Sequence, residues 1–105
     1  MRKVRITRKK NFSAFFSKVY LYLEDEKGTI EIATKKCRCV GILKNGEALT
    51  LSVSDEEHQL YASIGSYTPY SNVDCYTIPK GNKDIEASGS CKFSPPCFLF
   101  DQKSR

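Results

Sequence analysis

Hydrophobic and polar residues alternate with period two along most of this chain. In RKVRITR, residues 2 to 8, Val4 and Ile6 share one face with Arg2 and Arg8, while Lys3, Arg5 and Thr7 share the other. That is the pattern of a half-buried strand with a basic outer face. KVYLYLE, residues 18 to 24, sends Val19, Leu21 and Leu23 one way and Lys18, Tyr20 and Tyr22 the other. TIEIAT places Ile30 and Ile32 together, and KCRCVGIL, residues 36 to 43, reads as another strand in which Gly41 marks a bulge or a close approach. ALTLSV turns Leu49, Leu51 and Val53 inward, and HQLYASI does the same with Leu60, Ala62 and Ile64. VDCYTIP and DIEASGSCKF follow, the latter with Ile85 and Ala87 inward. SPPCFLFD closes the ordered chain with Phe98 and Phe100 against the body. No stretch carries a helical stripe longer than about two turns.

Turn chemistry divides these runs. Asp25-Glu26-Lys27-Gly28 is a turn whose glycine is free to take positive φ. Lys44-Asn45-Gly46-Glu47 predicts a two-residue type I′ hairpin, because Asn-Gly tolerates positive φ at both central positions. With Ser54-Asp55-Glu56-Glu57 as the next turn, residues 41 to 64 predict a three-stranded meander. NFSAFFS, residues 11 to 17, is an aromatic connection whose Phe12, Phe15 and Phe16 form one turn of helix or plug one end of the core. GSYTPYSN, residues 65 to 72, is a loop, and residues 79 to 83 form a turn. Short strands with turns every 8 to 12 residues predict an all-β fold, an antiparallel β-sandwich of seven to eight strands. One domain over residues 1 to 101 is expected, with residues 102 to 105 as a flexible tail.

Composition changes this picture little, but charge adds to it. The chain has 105 residues and a net charge of +5. Arg2, Lys3, Arg5, Arg8, Lys9 and Lys10 give the first ten residues six positive charges and no acid, so the remainder carries a net −1. A basic edge of this kind attracts nucleic acid or anionic lipid, or simply discourages edge-to-edge pairing. No run approaches the ~20 apolar residues of a membrane helix, and no secretory signal opens the chain. A cytoplasmic location is therefore expected, with the five cysteines reduced.

The motifs Arg5-Ile6-Thr7-Arg8, Val19-Tyr20-Leu21-Tyr22, Val40-Gly41-Ile42-Leu43-Lys44-Asn45-Gly46-Glu47, His58-Gln59-Leu60-Tyr61 and Lys80-Gly81-Asn82 occur in this order, with Ser71 between the last two. In that order they resemble a group of small bacterial proteins of the Firmicutes type, similar to PEGA-type surface modules. The resemblance covers about residues 2 to 90 and implies a β-sandwich. It implies no activity and no catalytic residue. This chain departs from the pattern between Val19 and Gly41, in its acidic turn and in its extra cysteines.

Little in the chain points to catalysis. His58 is the single histidine, beside Asp55, Glu56 and Glu57, and reads as a residue opening a strand after a turn, its ring partly solvated and hydrogen-bonded locally; nucleophilic sites assemble their residues from separate elements. Cys37 and Cys39 place two thiols on one strand face, about 7 Å apart. Core packing, a zinc site shared with Cys75, Cys91 or Cys97, and a Cys91–Cys97 disulfide are the three readings of the cysteines, and core packing needs the fewest partners. No cofactor is expected: the acids sit in turns and the glycines do not form a phosphate loop. Tyrosines give the stronger lead. Tyr20 and Tyr22 on an outward face, and Tyr67 and Tyr70 in the 65 to 72 loop, would form a contact surface for a protein partner or a second copy, with Arg5 and Arg8 as electrostatic guides. The competing reading is a nucleic-acid or anionic-surface binder, whose basic strand grips phosphate while tyrosines stack on bases.

Overall fold

The computed structural model describes residues 1–10, 17–93 and 96–101. Nine strands lie among the described residues: β1 (Arg2–Arg8), β2 (Val19–Glu24), β3 (Ile30–Ile32), β4 (Lys35–Leu43), β5 (Ala48–Val53), β6 (His58–Ile64), β7 (Val73–Ile78), β8 (Ile85–Phe93) and β9 (Pro96–Phe100). They form a sandwich of a four-stranded sheet, β5-β1-β8-β9, and a five-stranded sheet, β3-β4-β2-β6-β7. Every pair is antiparallel except β1–β8, which is parallel. The ninth strand beyond the expected count is β9, formed by the closing aromatic run. The expectation for Phe12, Phe15 and Phe16 and that for the tail at 102 to 105 lie outside the described residues. No helix of the described residues is long and apolar enough to cross a membrane.

The alternating pattern places the core as expected. Val4, Ile6, Val19, Leu21, Leu60, Ile78 and Phe98 are fully buried between the sheets, and Phe100 packs edge-on against Phe98 at 5.4 Å. A second apolar cluster lies on the outer side of the five-stranded sheet, where Tyr22, Ile32, Cys37 and Tyr61 are buried together. A bulge in β4 creates the parity for both. Leu21 pairs with Gly41 and Tyr22 with Cys39, so Val40 is the extra residue. Beyond the bulge Cys39 and Cys37 point outward while Leu43 points to the main core. Gly41 lets the Leu49 side chain of the other sheet approach closely, and a Cβ there would force that side chain to move.

The expected meander is overturned. β4 and β6 belong to the five-stranded sheet and β5 to the four-stranded one, so both turns around β5 carry the chain across the sandwich. The Asn45-Gly46 connection closes with Glu47 N–H donating to Lys44 O at 3.0 Å, but only Gly46 takes positive φ, 81°. These are the φ signs of a type II turn, which splays the flanking strands instead of pairing them. The type I′ hairpin stands at β3–β4, where Ala33 and Thr34 hold φ of 52° and 68° between the paired Ile32 and Lys35. Gly28 also differs from expectation. It closes its turn onto Asp25 O at 2.7 Å without positive φ, and glycine is needed because a Cβ would strike the Cys37 main chain.

β1 is central in its sheet, between β5 and β8, and is not an edge strand. Arg2 and Arg8, on its inner face with Val4 and Ile6, are buried at opposite ends of the core. Arg2 donates to the carbonyls of Ser54 (3.2 Å), Glu56 (2.9 Å) and Pro79 (2.6 Å). Arg8, 0% exposed, donates through Nη1 to Ser17 O (2.7 Å) and Leu43 O (2.9 Å). Each guanidinium thus satisfies main-chain acceptors where the chain enters or leaves the other sheet. Burying such a charge is costly without these partners, and losing the donor leaves the carbonyls unsatisfied at roughly 1–3 kcal/mol each.

Two stability measurements follow. Arg8→Met should lower the unfolding free energy by about 2–4 kcal/mol in a denaturant titration, while Arg5→Met on the exposed face should change it by no more than about 0.5 kcal/mol. Replacing Ala33 by Asn and Thr34 by Gly together should raise it by about 1–2 kcal/mol, because non-glycine residues at positive φ are strained. A loss of stability in that double variant would contradict the type I′ assignment.

Candidate functional site

The register of the five-stranded sheet builds a surface on its outer side. Tyr22 pairs with Cys39 on one flank and Tyr61 on the other, and Tyr61 pairs with Cys75, giving the row Cys39–Tyr22–Tyr61–Cys75. The next row is Ile42–Tyr20–Ser63–Val73. Tyr20 stacks on Tyr22 with centroids 6.5 Å apart and planes 19° apart.

The 65 to 72 loop folds over this face. Its root is fixed by Gly65 at φ 78°, whose N–H donates to Lys18 O at 2.8 Å, and by the Ser63 hydroxyl donating to Gly65 O at 2.8 Å. Tyr67 N–H then donates to the Tyr22 hydroxyl at 2.8 Å, and the two rings meet edge-on at 6.2 Å. Beyond this anchor a tight turn, with Ser71 N–H on Thr68 O and Thr68 N–H on Ser71 Oγ, both at 2.9 Å, carries Tyr70 at its tip. Tyr70 is 94% exposed.

The tyrosines expected on one surface therefore separate. Tyr22 is buried, because Tyr67, Tyr61 and Ile32 cover it, so it acts as the loop's anchor and not as a contact residue. Tyr20 and Tyr67 are half-buried beside it, and Tyr70 projects into solvent. Ile42 (44% exposed) lies beside Tyr20 in its row, and Val73 ends the row beyond Ser63. Sequence reasoning missed both. Alternation gives Ile42 the face opposite Leu43, but an apolar residue in an apolar run reads as core.

The basic residues lie elsewhere. Arg8 is interior and cannot guide a partner. Arg5 is exposed on the outer side of the four-stranded sheet, between Thr50 of β5 and Glu86 of β8. The first-strand cations and the tyrosine rows thus occupy opposite faces of the sandwich.

The cysteines also resolve. Cys37 and Cys39 share one face as expected, with Cys37 buried and Cys39 exposed. Cys75 lies on that face three strand spacings from Cys39, about 14 Å. In the β8–β9 ladder Cys91 opposes Phe98 and Cys97 opposes Lys92. Cys91 therefore faces the core and Cys97 the outside, which rules out a bond between them. Among the described residues no three potential metal ligands converge. Burial pushes the Cys37 thiol up, with Glu24 adding to it, and burial does the same to Cys91 against the opposing pull of Arg8. Loss of solvent raises Cys75, and it raises the neighbouring Tyr61 hydroxyl to about 12.

At the other end of the molecule a cleft of about 470 Å³ is lined by Glu24, Asp25, Arg38, Ser54, Glu57 and His58 among others. The hydrogen bond from Lys27 N–H and the Arg38 guanidinium at 2.7 Å hold the Asp25 carboxyl below its usual range. His58 Nε2 lies 3.0 Å from Ser54 Oγ and 3.3 Å from Ser54 O. The Ser54 hydroxyl also accepts from Glu56 N–H at 3.4 Å. The two side chains stand at either end of one turn, four residues apart, and their geometry is that of a brace for the β5–β6 crossover.

No family model, curated protein or solved structure matches this chain.

Alkylation followed by mass spectrometry should rank the thiols. Cys39 should be labelled first, Cys75 more slowly because its thiol is held protonated, and Cys37 and Cys91 only as fast as the protein opens. Equal rates at Cys37 and Cys39 would contradict the buried outer cluster.

Proposed function

We propose that this protein is a non-catalytic interaction module that binds a protein partner through the outer side of its five-stranded sheet. The observation that carries the reading is the combination of a rigid base and exposed apolar groups at one place. Tyr22 and Tyr67 lock the 65 to 72 loop onto the sheet. Around that lock, Tyr70, Ile42 and Val73 leave apolar surface in water, with Tyr20 half-exposed between them. Tyrosines held by packing contribute contact area at low entropic cost. Lys18, Glu24 and Lys35 share this face, the last two as an ion pair at 3.4 Å, so its net charge is small. Apolar contact, and not charge, would then supply the affinity.

Affinity capture should return a partner that survives about 1 M salt, where exposed ionic attraction is screened over a few ångströms. Tyr70→Ala combined with Ile42→Lys should remove it, and Arg5→Glu should not. Binding lost to salt and to Arg5→Glu, with the Tyr70/Ile42 variant unaffected, would favour a polyanion on the other face and refute this reading.

A further inference from the structure

The sandwich has four edge strands, and three of them are protected. β3 has only three residues. β7 and β9 are stitched to each other at the sandwich side: Phe100 N–H donates to Asp74 Oδ2 at 2.8 Å, and Asn72 Nδ2 reaches Pro96 O at 3.4 Å. β9 also opens with a proline. Short length, charge, proline and side-chain cover are the usual means by which sheet edges avoid pairing.

Among the described residues β5 has none of them. Its sequence is Ala48-Leu49-Thr50-Leu51-Ser52-Val53, without charge, proline or glycine, and its register with β1 runs unbroken from Ala48 to Val53. The ladder alternation can be read from one bond. Arg8 N–H donates to Glu47 O at 2.8 Å, so the pairs Ile6–Leu49, Val4–Leu51 and Arg2–Val53 exchange main-chain hydrogen bonds. The amides and carbonyls of Ala48, Thr50 and Ser52 consequently turn to the free edge. Among the described residues no strand pairs with that edge.

We infer that β5 is a self-pairing edge, and that two copies join through antiparallel β5–β5 contact into one continuous eight-stranded sheet. A two-fold axis at Thr50 sets Thr50 opposite Thr50 of the second copy and Ala48 opposite Ser52, with about six main-chain hydrogen bonds. Every outward-turned amide and carbonyl of the strand then finds a partner. Inward, Leu49 faces Leu51 and extends the apolar core across the junction. Outward, threonine meets threonine, a favourable cross-strand pair, serine meets alanine, and no like charges stand directly opposite. A second copy fits better than an unrelated peptide because the strand is complementary to itself in register, face and charge. This surface is separate from the tyrosine face, and the inference does not rest on it.

Sedimentation from about 10 µM to about 1 mM should show a monomer–dimer equilibrium, as expected for a small interface. At the high end, amide exchange at Thr50 and Ser52 should slow at least tenfold. Thr50→Pro should abolish both effects while leaving the denaturation midpoint nearly unchanged, since that amide does not bond to β1. Thr50→Lys, which keeps the amide and sets like charges opposite, should weaken dimerisation at least tenfold. A chain that stays monomeric throughout would overturn the inference. So would a dimer that forms without protection at Thr50 and Ser52, or one lost with Ile42→Lys and kept with Thr50→Pro.

Discussion

The sandwich depends on two buried guanidinium groups at the ends of one central strand. Arg2 and Arg8 share the inner face of β1 with Val4 and Ile6, yet neither serves the core as apolar bulk. Each bonds main-chain carbonyls of segments that pass between the sheets: Arg2 at 54, 56 and 79, and Arg8 at 17 and 43. Crossovers are where a two-sheet fold accumulates acceptors that neither ladder satisfies. Arginine suits this role because its fork reaches several carbonyls at once and stays charged at any working pH. Two of the chain's most polar residues therefore hold together the two layers that the apolar residues fill.

Much of the fold was legible in the residue pattern. The inward sets Val19-Leu21-Leu23, Leu49-Leu51-Val53 and Leu60-Ala62 follow from alternation alone, and Gly41 marked the bulge. What alternation cannot convey is which strand pairs with which. Asn45-Gly46 fits a tight hairpin locally, but the Val40 bulge and the close Gly41–Leu49 approach set β4 and β5 in different layers, and tertiary packing overrides the turn preference. The real type I′ turn uses Ala33 and Thr34, residues that carry no such signal. Alternation puts Arg2 and Arg8 on the correct face but gives no sign that their charge is interior, because partners 9 to 77 positions away in sequence leave no local trace.

The candidate surface shows the same division. Period two put Tyr20 and Tyr22 opposite Val19 and Leu21, as found, but being off the main core is not the same as being exposed. A second, smaller core on that side buries Tyr22 beneath the loop it anchors. The residues left in water, Tyr70, Ile42 and Val73, are selected by loop placement and cross-strand register, neither of which is local. Separation of Arg5 from the rings is likewise a product of topology. Together these features leave an exposed apolar patch on the outer side of the five-stranded sheet, away from Arg5.

The most direct test of this account is side-chain nitrogen NMR of the arginines. If Arg2 and Arg8 bridge the crossovers, their Nη protons should give separate, slowly exchanging signals, with rotation about the Nε–Cζ bond restricted, while those of Arg5 average rapidly with solvent. Arg8 signals that average as fast as those of Arg5 would contradict the account.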